Sequence, residues 1–133
     1  MATESTLNAA PLKAGILIDA TVLGDPAKID TDEIRAEFAR HGAVLVKGLG
    51  LDRAGFVAFT ERFVPSFMEY VGGANNDRGS AISGSNTVLT VTGGNTLGQA
   101  IPLHGEMFYT TYRPATLFFC CQRPADADGE TTI

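Results

Sequence analysis

Several residue types are scarce in this chain, and each scarcity excludes a class of protein. The 133 residues include no tryptophan, two cysteines and two histidines. Ten Lys and Arg stand against fifteen Asp and Glu, giving a net charge of −5, so the chain lacks the basic stripe of a nucleic-acid or anionic-membrane binder. No apolar run approaches the roughly 20 residues of a membrane span. We therefore expect neither a nucleic acid nor a membrane as partner.

The two cysteines point to a reducing compartment. Cys120 and Cys121 are adjacent, and neighbouring residues of a strand project to opposite faces, so a disulfide between them would be strained. We therefore expect two reduced, buried thiols, which are typical of cytosolic proteins. Residues 1–13 carry no apolar stretch resembling a signal peptide. We expect a cytoplasmic protein.

Hydrophobic residues make up 44% of the chain, which suits a folded domain. Residues 1–13 show no periodicity and are interpreted as a flexible leader. Residues 14–133 are assigned to a single domain. Within it, residues 15–23 alternate weakly and predict a short edge strand.

Helical signals come first along the chain and strand signals later. Asp30 and Asp52 are good N-cap residues, and the apolar spacing after them predicts helices near 31–41 and 52–64. Apolar and β-branched runs predict three strands, which lie near 43–47, 86–92 and 115–121. Helices followed by strands indicate an α+β fold with a mostly antiparallel sheet.

Two glycines between a predicted strand and helix resemble the start of a dinucleotide-binding turn. Gly48 and Gly50 fit the first two positions of G-x-G-x-x-G, but Arg53 occupies the third. A tight strand-to-helix turn is therefore the favoured interpretation.

The sequence His104-Gly105-Glu106 is the strongest chemical signal. In an extended segment, residues i and i+2 project from the same face, so an imidazole and a carboxylate can converge on one metal ion. They would supply two of the three ligands of the 2-His-1-carboxylate triad that binds non-haem Fe(II). A site that also included His41 would require that residue to leave its predicted helix end.

The surroundings of this motif resemble a known family. The resemblance rests on 101–107 (IPLHGEM), Arg113-Pro114, 117–120 (LFFC) and 129–131 (GET), with 41–48 (HGAVLVKG) matching a first core strand. These stretches are similar to the taurine dioxygenase-like (TauD/TfdA) family of Fe(II)/2-oxoglutarate-dependent oxygenases. The H-x-E form resembles its clavaminate-synthase-like and syringomycin-pathway-like branch.

The resemblance implies a double-stranded β-helix (jelly-roll) fold with N-terminal helices, and Fe(II) and 2-oxoglutarate as cofactors. His104 and Glu106 would be iron ligands, with no further catalytic residue, and Thr131 would help to hold 2-oxoglutarate. Arg78 would pair with a substrate carboxylate. The implied reaction oxidises, most often hydroxylates, an unactivated C–H bond of a free or carrier-bound amino acid with O2.

The chain departs from the family pattern in two places. Asp128-Gly129 stands where the family has Gly-Gly, and the family's distal histidine ligand and cofactor-binding arginine would fall beyond Ile133. We therefore expect the N-terminal part of a larger oxygenase domain, inactive alone, with an exposed apolar surface around Leu117, Phe118 and Phe119. The alternative is a catalytically incomplete jelly-roll fragment or pseudoenzyme that acts as a binding module.

Overall fold

The computed structural model describes residues 7–70, 87–90, 102–124 and 126–127. They belong to two compact units, Met1–Phe63 and Val64–Ile133, which are described separately. The elements of the first unit, in chain order, are β1 (Asn8–Pro11), β2 (Ile16–Asp19), a 3-10 helix (Pro26–Lys28), α1 (Thr31–His41), β3 (Val44–Lys47) and α2 (Arg53–Glu61).

The three strands form a mixed sheet in the order β1-β2-β3. β1 runs antiparallel to β2, with Asn8 opposite Asp19, and β2 runs parallel to β3, with Ile16 opposite Val44. The expectation of an edge strand at 15–23 is therefore wrong, because β2 is the central strand. Its extra neighbour, β1, comes from the expected leader. All four β1 residues are exposed, so this strand is held by backbone pairing and leaves no apolar alternation in the sequence.

Both helices begin where the capping residues predict. The Asp30 carboxylate accepts hydrogen bonds from the backbone N–H of Asp32 (2.9 Å) and Glu33 (3.4 Å), and the Asp52 carboxylate accepts one from Gly55 (2.7 Å). α1 ends at Gly42, whose φ of 75° is the left-handed cap expected of glycine. α2 ends at Glu61, three residues earlier than predicted. None of the helices among the described residues is long and apolar enough to cross a membrane.

The core of the first unit lies between the sheet and the helices. Its buried residues are Ile18, Ala20, Ile29 and Ile34. Phe59 and Phe63, from the predicted phenylalanine stripe, pack against this cluster, and their ring centroids lie 5.2 Å apart. The stripe is therefore a packing feature of the fold.

Asp19 fixes the chain where it leaves β2. Its Oδ1 accepts hydrogen bonds from the Thr21 hydroxyl (2.6 Å) and the Thr21 backbone N–H (3.0 Å). The bond from the Thr21 side chain is the largest reason why the pKa of Asp19 is lowered, and the backbone bond and the charge of Lys47 act in the same direction. Because the pKa of Asp19 is lower in the folded protein than in the unfolded chain, the ionised carboxylate stabilises the fold. This stabilisation is fully present above the unfolded pKa and is lost as the pH falls through the folded pKa.

The Arg62 guanidinium ties the end of α2 to the segment before α1. Nη1 donates to the Pro26 carbonyl (2.9 Å), and Nη2 donates to the Ile29 carbonyl (2.6 Å). The guanidinium also lies 5.7 Å from the centroid of the Phe59 ring. Arg62 therefore stabilises a connection that spans more than thirty residues of sequence.

Replacing Arg62 with methionine should destabilise the protein by about 2 kcal/mol, because the carbonyls of Pro26, Ala27 and Ile29 lose a charged donor while the apolar stem is kept. Urea denaturation measures this change. Arg40→Met is the matched control: the Arg40 side chain is 66% exposed and pairs with Glu37 one helical turn earlier (2.8 Å), a class of contact worth about 0.5 kcal/mol. Equal midpoint shifts for the two variants would contradict the structural role given to Arg62.

In the second unit, residues 115–121 differ from the sequence prediction. Exposure alternates along them, with Leu117 and Phe119 exposed and Phe118 half-buried, as in an extended chain. No strand is formed, since no pairing partner for these residues occurs in the part of the chain that the structure describes. The expected exposed surface is therefore limited to Leu117 and Phe119, because the Phe118 ring meets Phe67 edge-on at 6.5 Å.

The remaining strand predictions have different outcomes. The strand near 43–47 is confirmed as β3. Of the strand near 86–92, only 87–90 are described, and Leu89 forms a single β-bridge. In the turn that follows β3, Gly48 and Gly50 both have positive φ, 84° and 57°. That conformation is what a tight strand-to-helix connection requires of them.

Candidate metal centre

His104 is held in one tautomer by the chain immediately before it. Its Nδ1 lies 2.8 Å from the Pro102 carbonyl oxygen. A carbonyl can only accept a hydrogen bond, so Nδ1 carries the proton in the neutral imidazole. The lone pair of Nε2 is then available to a metal, an arrangement common among metal-binding histidines. The side chain is 46% exposed, which leaves the imidazole accessible.

Glu106 places a carboxylate beside that lone pair. Its Oε2 lies 3.7 Å from Nε2 of His104, and its side chain is 23% exposed. Two ligand atoms at right angles around an ion, each bonded at about 2.1 Å, lie about 3 Å apart. A small side-chain rotation closes this difference. The donor set, one neutral imidazole and one carboxylate, fits a divalent iron ion.

A turn, rather than a strand, brings the two side chains together. The Gly105 carbonyl accepts a hydrogen bond from the Phe108 N–H (3.3 Å), which closes a four-residue turn with Glu106 and Met107 at its centre. Met107 has a φ of 52°. The expectation that both ligands project from one face of an extended segment is therefore wrong for Glu106, which lies at the corner of this turn.

His41 has a carboxylate partner within its own unit. It is the last residue of α1, and its Nε2 lies 3.2 Å from Oε2 of Glu37, one helical turn earlier. Among residues 7–70, 87–90, 102–124 and 126–127, no group of three or more His, Cys, Asp or Glu side chains could hold a metal ion.

Two of the predicted site residues, Arg78 and Thr131, lie outside the described residues, so their roles stay predictions. Both cysteines are free thiols, but the expectation that they are buried is wrong, since Cys120 is half-buried and Cys121 is exposed. Cys120 accepts a hydrogen bond from the Gln122 amide (3.1 Å).

Two features of the site were missed by sequence reasoning. The Pro102 carbonyl that orients His104 is a backbone group, which no residue pattern reports. The left-handed conformation of Met107 is also invisible, because glycine and asparagine are the residues that signal it. No sequence signal could have found the first feature, because every residue carries a backbone carbonyl.

The chain matches a known protein family. The model of the family described as "Taurine catabolism dioxygenase TauD, TfdA family" matches residues 8–133. Searches of curated proteins and of solved structures found no match. Members of the matched family are Fe(II)/2-oxoglutarate dioxygenases with a jelly-roll fold, which act on small molecules with O2. Since the match covers nearly all of the chain, this chain belongs to the TauD/TfdA family of dioxygenases.

Proposed function

We propose that His104 and Glu106 bind the Fe(II) of a 2-oxoglutarate-dependent dioxygenase that hydroxylates an amino-acid-like substrate, free or carrier-bound. The observation that carries the proposal is the 3.7 Å approach of Nε2 of His104 to Oε2 of Glu106. It brings together a nitrogen donor and an oxygen donor that lie two residues apart in one short segment. The general chemistry is inferred from the family, and the His104–Glu106 pair is the place where this chain would bind the iron ion.

The described residues prepare the ion's binding. The Pro102 carbonyl favours the tautomer of the neutral ring that carries its proton on Nδ1, which directs the lone pair to Nε2. The Glu106 carboxylate contributes negative charge that partly neutralises a divalent cation. With its cosubstrates, the bound iron supplies an oxidising power that protein side chains lack.

The proposed reaction balances as follows. 2-Oxoglutarate loses CO2 and becomes succinate, which takes one oxygen atom of O2, and the other oxygen atom enters the substrate C–H bond as a hydroxyl group. Thr131 is proposed to hold 2-oxoglutarate through its hydroxyl. Arg78 is proposed to pair with the substrate carboxylate, and both roles rest on the family resemblance.

The test is succinate formation by the full-length protein in air, with Fe(II), 2-oxoglutarate and a panel of free and carrier-bound amino acids. We expect iron-dependent succinate, stimulated by one or a few amino acids that each gain one oxygen atom by mass spectrometry. Arg78→Met should raise the KM for that amino acid while succinate release without substrate is unchanged. If no amino acid raises succinate above the iron-free control, the hydroxylase proposal fails and the binding-module alternative is favoured.

A further inference from the structure

Met107 has an unusual backbone conformation directly after a proposed iron ligand. Among the described residues it is the only non-glycine with a positive φ, 52°. It occupies the third position of the turn closed by Gly105 and Phe108, where a positive φ is usually supplied by glycine or asparagine. For other residues this conformation is strained, and such strain tends to occur at functional sites.

The surroundings of Met107 hold it in that conformation. Met107 is 8% exposed, whereas Leu103, four residues before it, and Phe108, directly after it, are 79% and 63% exposed. The Met107 carbonyl accepts a hydrogen bond from the backbone N–H of Thr110 at 3.0 Å. The Thr110 hydroxyl lies between the Met107 and Tyr112 carbonyls and closes the turn from the other side. The buried side chain and the hydrogen-bonded carbonyl together oppose the relaxation of the backbone to an extended form.

The turn determines where Glu106 points. Glu106 and Met107 are the two central residues of the turn. The hydrogen bond from the Phe108 N–H to the Gly105 carbonyl closes this turn directly after His104. If residue 107 became extended, that bond would break and the Glu106 carboxylate would no longer be directed to Nε2 of His104.

We propose that Met107 is a positioning residue, whose buried side chain and left-handed backbone hold the Glu106 carboxylate beside His104 for metal binding. This inference rests on the proposed function, because it assumes that the pair binds a divalent ion. It assigns to Met107 no contact with the ion or the substrate.

The test compares two apolar replacements that differ in their tolerance of a positive φ. Leucine keeps the apolar bulk with an unbranched Cβ, whereas the β-branched side chain of valine strongly disfavours the left-handed region. Mn(II) serves as an air-stable substitute for Fe(II), and electron paramagnetic resonance of the unbound ion gives the affinity of the full-length protein without any turnover. Leu103→Val, at the exposed position before His104, is the matched control.

We expect Met107→Val to weaken Mn(II) binding about tenfold, the lower range for residues that orient metal ligands. The Mn(II) affinities of Met107→Leu and Leu103→Val should stay within about twofold of the wild-type value. Thermal melting of the metal-free variants distinguishes a loss of metal binding from a general loss of stability. Equal affinities for the valine and leucine variants at position 107 would overturn the inference. A wild type that binds no Mn(II) would instead overturn the proposed function, and this inference with it.

A second replacement covers the case in which Met107→Val fails to fold. Glycine adopts a positive φ without strain, so Met107→Gly should fold, but it neither buries a side chain nor restrains the turn. We expect its Mn(II) affinity to fall several-fold below that of Met107→Leu. Wild-type affinity in the glycine variant would show that the side chain does not position Glu106, and would overturn the inference.

Discussion

Replacing His104 with alanine should abolish both metal binding and turnover. The substitution removes the nitrogen donor of the pair, so this segment keeps only the Glu106 carboxylate, and a divalent transition metal loses one of its ligands. We expect the Mn(II) affinity of the full-length protein to fall by more than about 100-fold, exceeding the loss caused by removing a residue that only orients a ligand. Iron-dependent succinate formation should disappear in the same variant.

His41 provides a demanding control, because it also lies beside a carboxylate. Its Nε2 is 3.2 Å from Oε2 of Glu37, closer than the 3.7 Å between His104 and Glu106. The Glu37 carboxylate, however, also forms an ion pair with Arg40 at 2.8 Å, and that fixed positive charge opposes the binding of a cation. His41→Ala should therefore leave Mn(II) affinity and turnover unchanged. Wild-type binding in His104→Ala, or an equal loss in both variants, would end the iron-ligand assignment.

The parts of the fold that could be predicted are those encoded by local side-chain chemistry. Asp30 and Asp52 predict helix starts because a carboxylate can satisfy the first free N–H groups of a helix, and Gly42 predicts a helix end because it accepts a positive φ. Each signal lies within a few residues of the structure it controls. The family could likewise be identified from contiguous stretches, above all 101–107.

The features that could not be predicted are determined by residues distant in sequence or by backbone conformation, and neither is visible in a local residue pattern. β1 is held by the backbone of β2, so its exposed residues carry no pattern. Residues 115–121 have strand-like composition, but composition does not supply a neighbouring strand. At the candidate site, the His104–Glu106 pair stays a prediction, and its geometry could not be predicted. The turn at Glu106 depends on a methionine in a conformation that methionine rarely adopts.

The turn between β3 and α2 gives the second large prediction. Gly48 and Gly50 both have positive φ, but their surroundings differ. A Cβ at Gly48 would lie 2.4 Å from Cγ2 and 2.6 Å from the backbone nitrogen of Thr21, whereas a Cβ at Gly50 would meet nothing within 4 Å. Thr21 cannot easily move away, because its backbone N–H and hydroxyl both donate to Asp19.

Gly48→Ala should therefore destabilise the protein by about 3 kcal/mol, which combines the left-handed penalty with overlap against a fixed backbone. Gly50→Ala incurs only the left-handed penalty, about 1 kcal/mol. Urea denaturation of the two variants measures the difference, and the steric part of it should shrink in an Asp19→Ala background, where both hydrogen bonds that hold Thr21 are lost. Unfolding of the two alanine variants at the same urea concentration would show that Thr21 moves aside for the added methyl group. The close approach of Gly48 to Thr21 would then not constrain the turn.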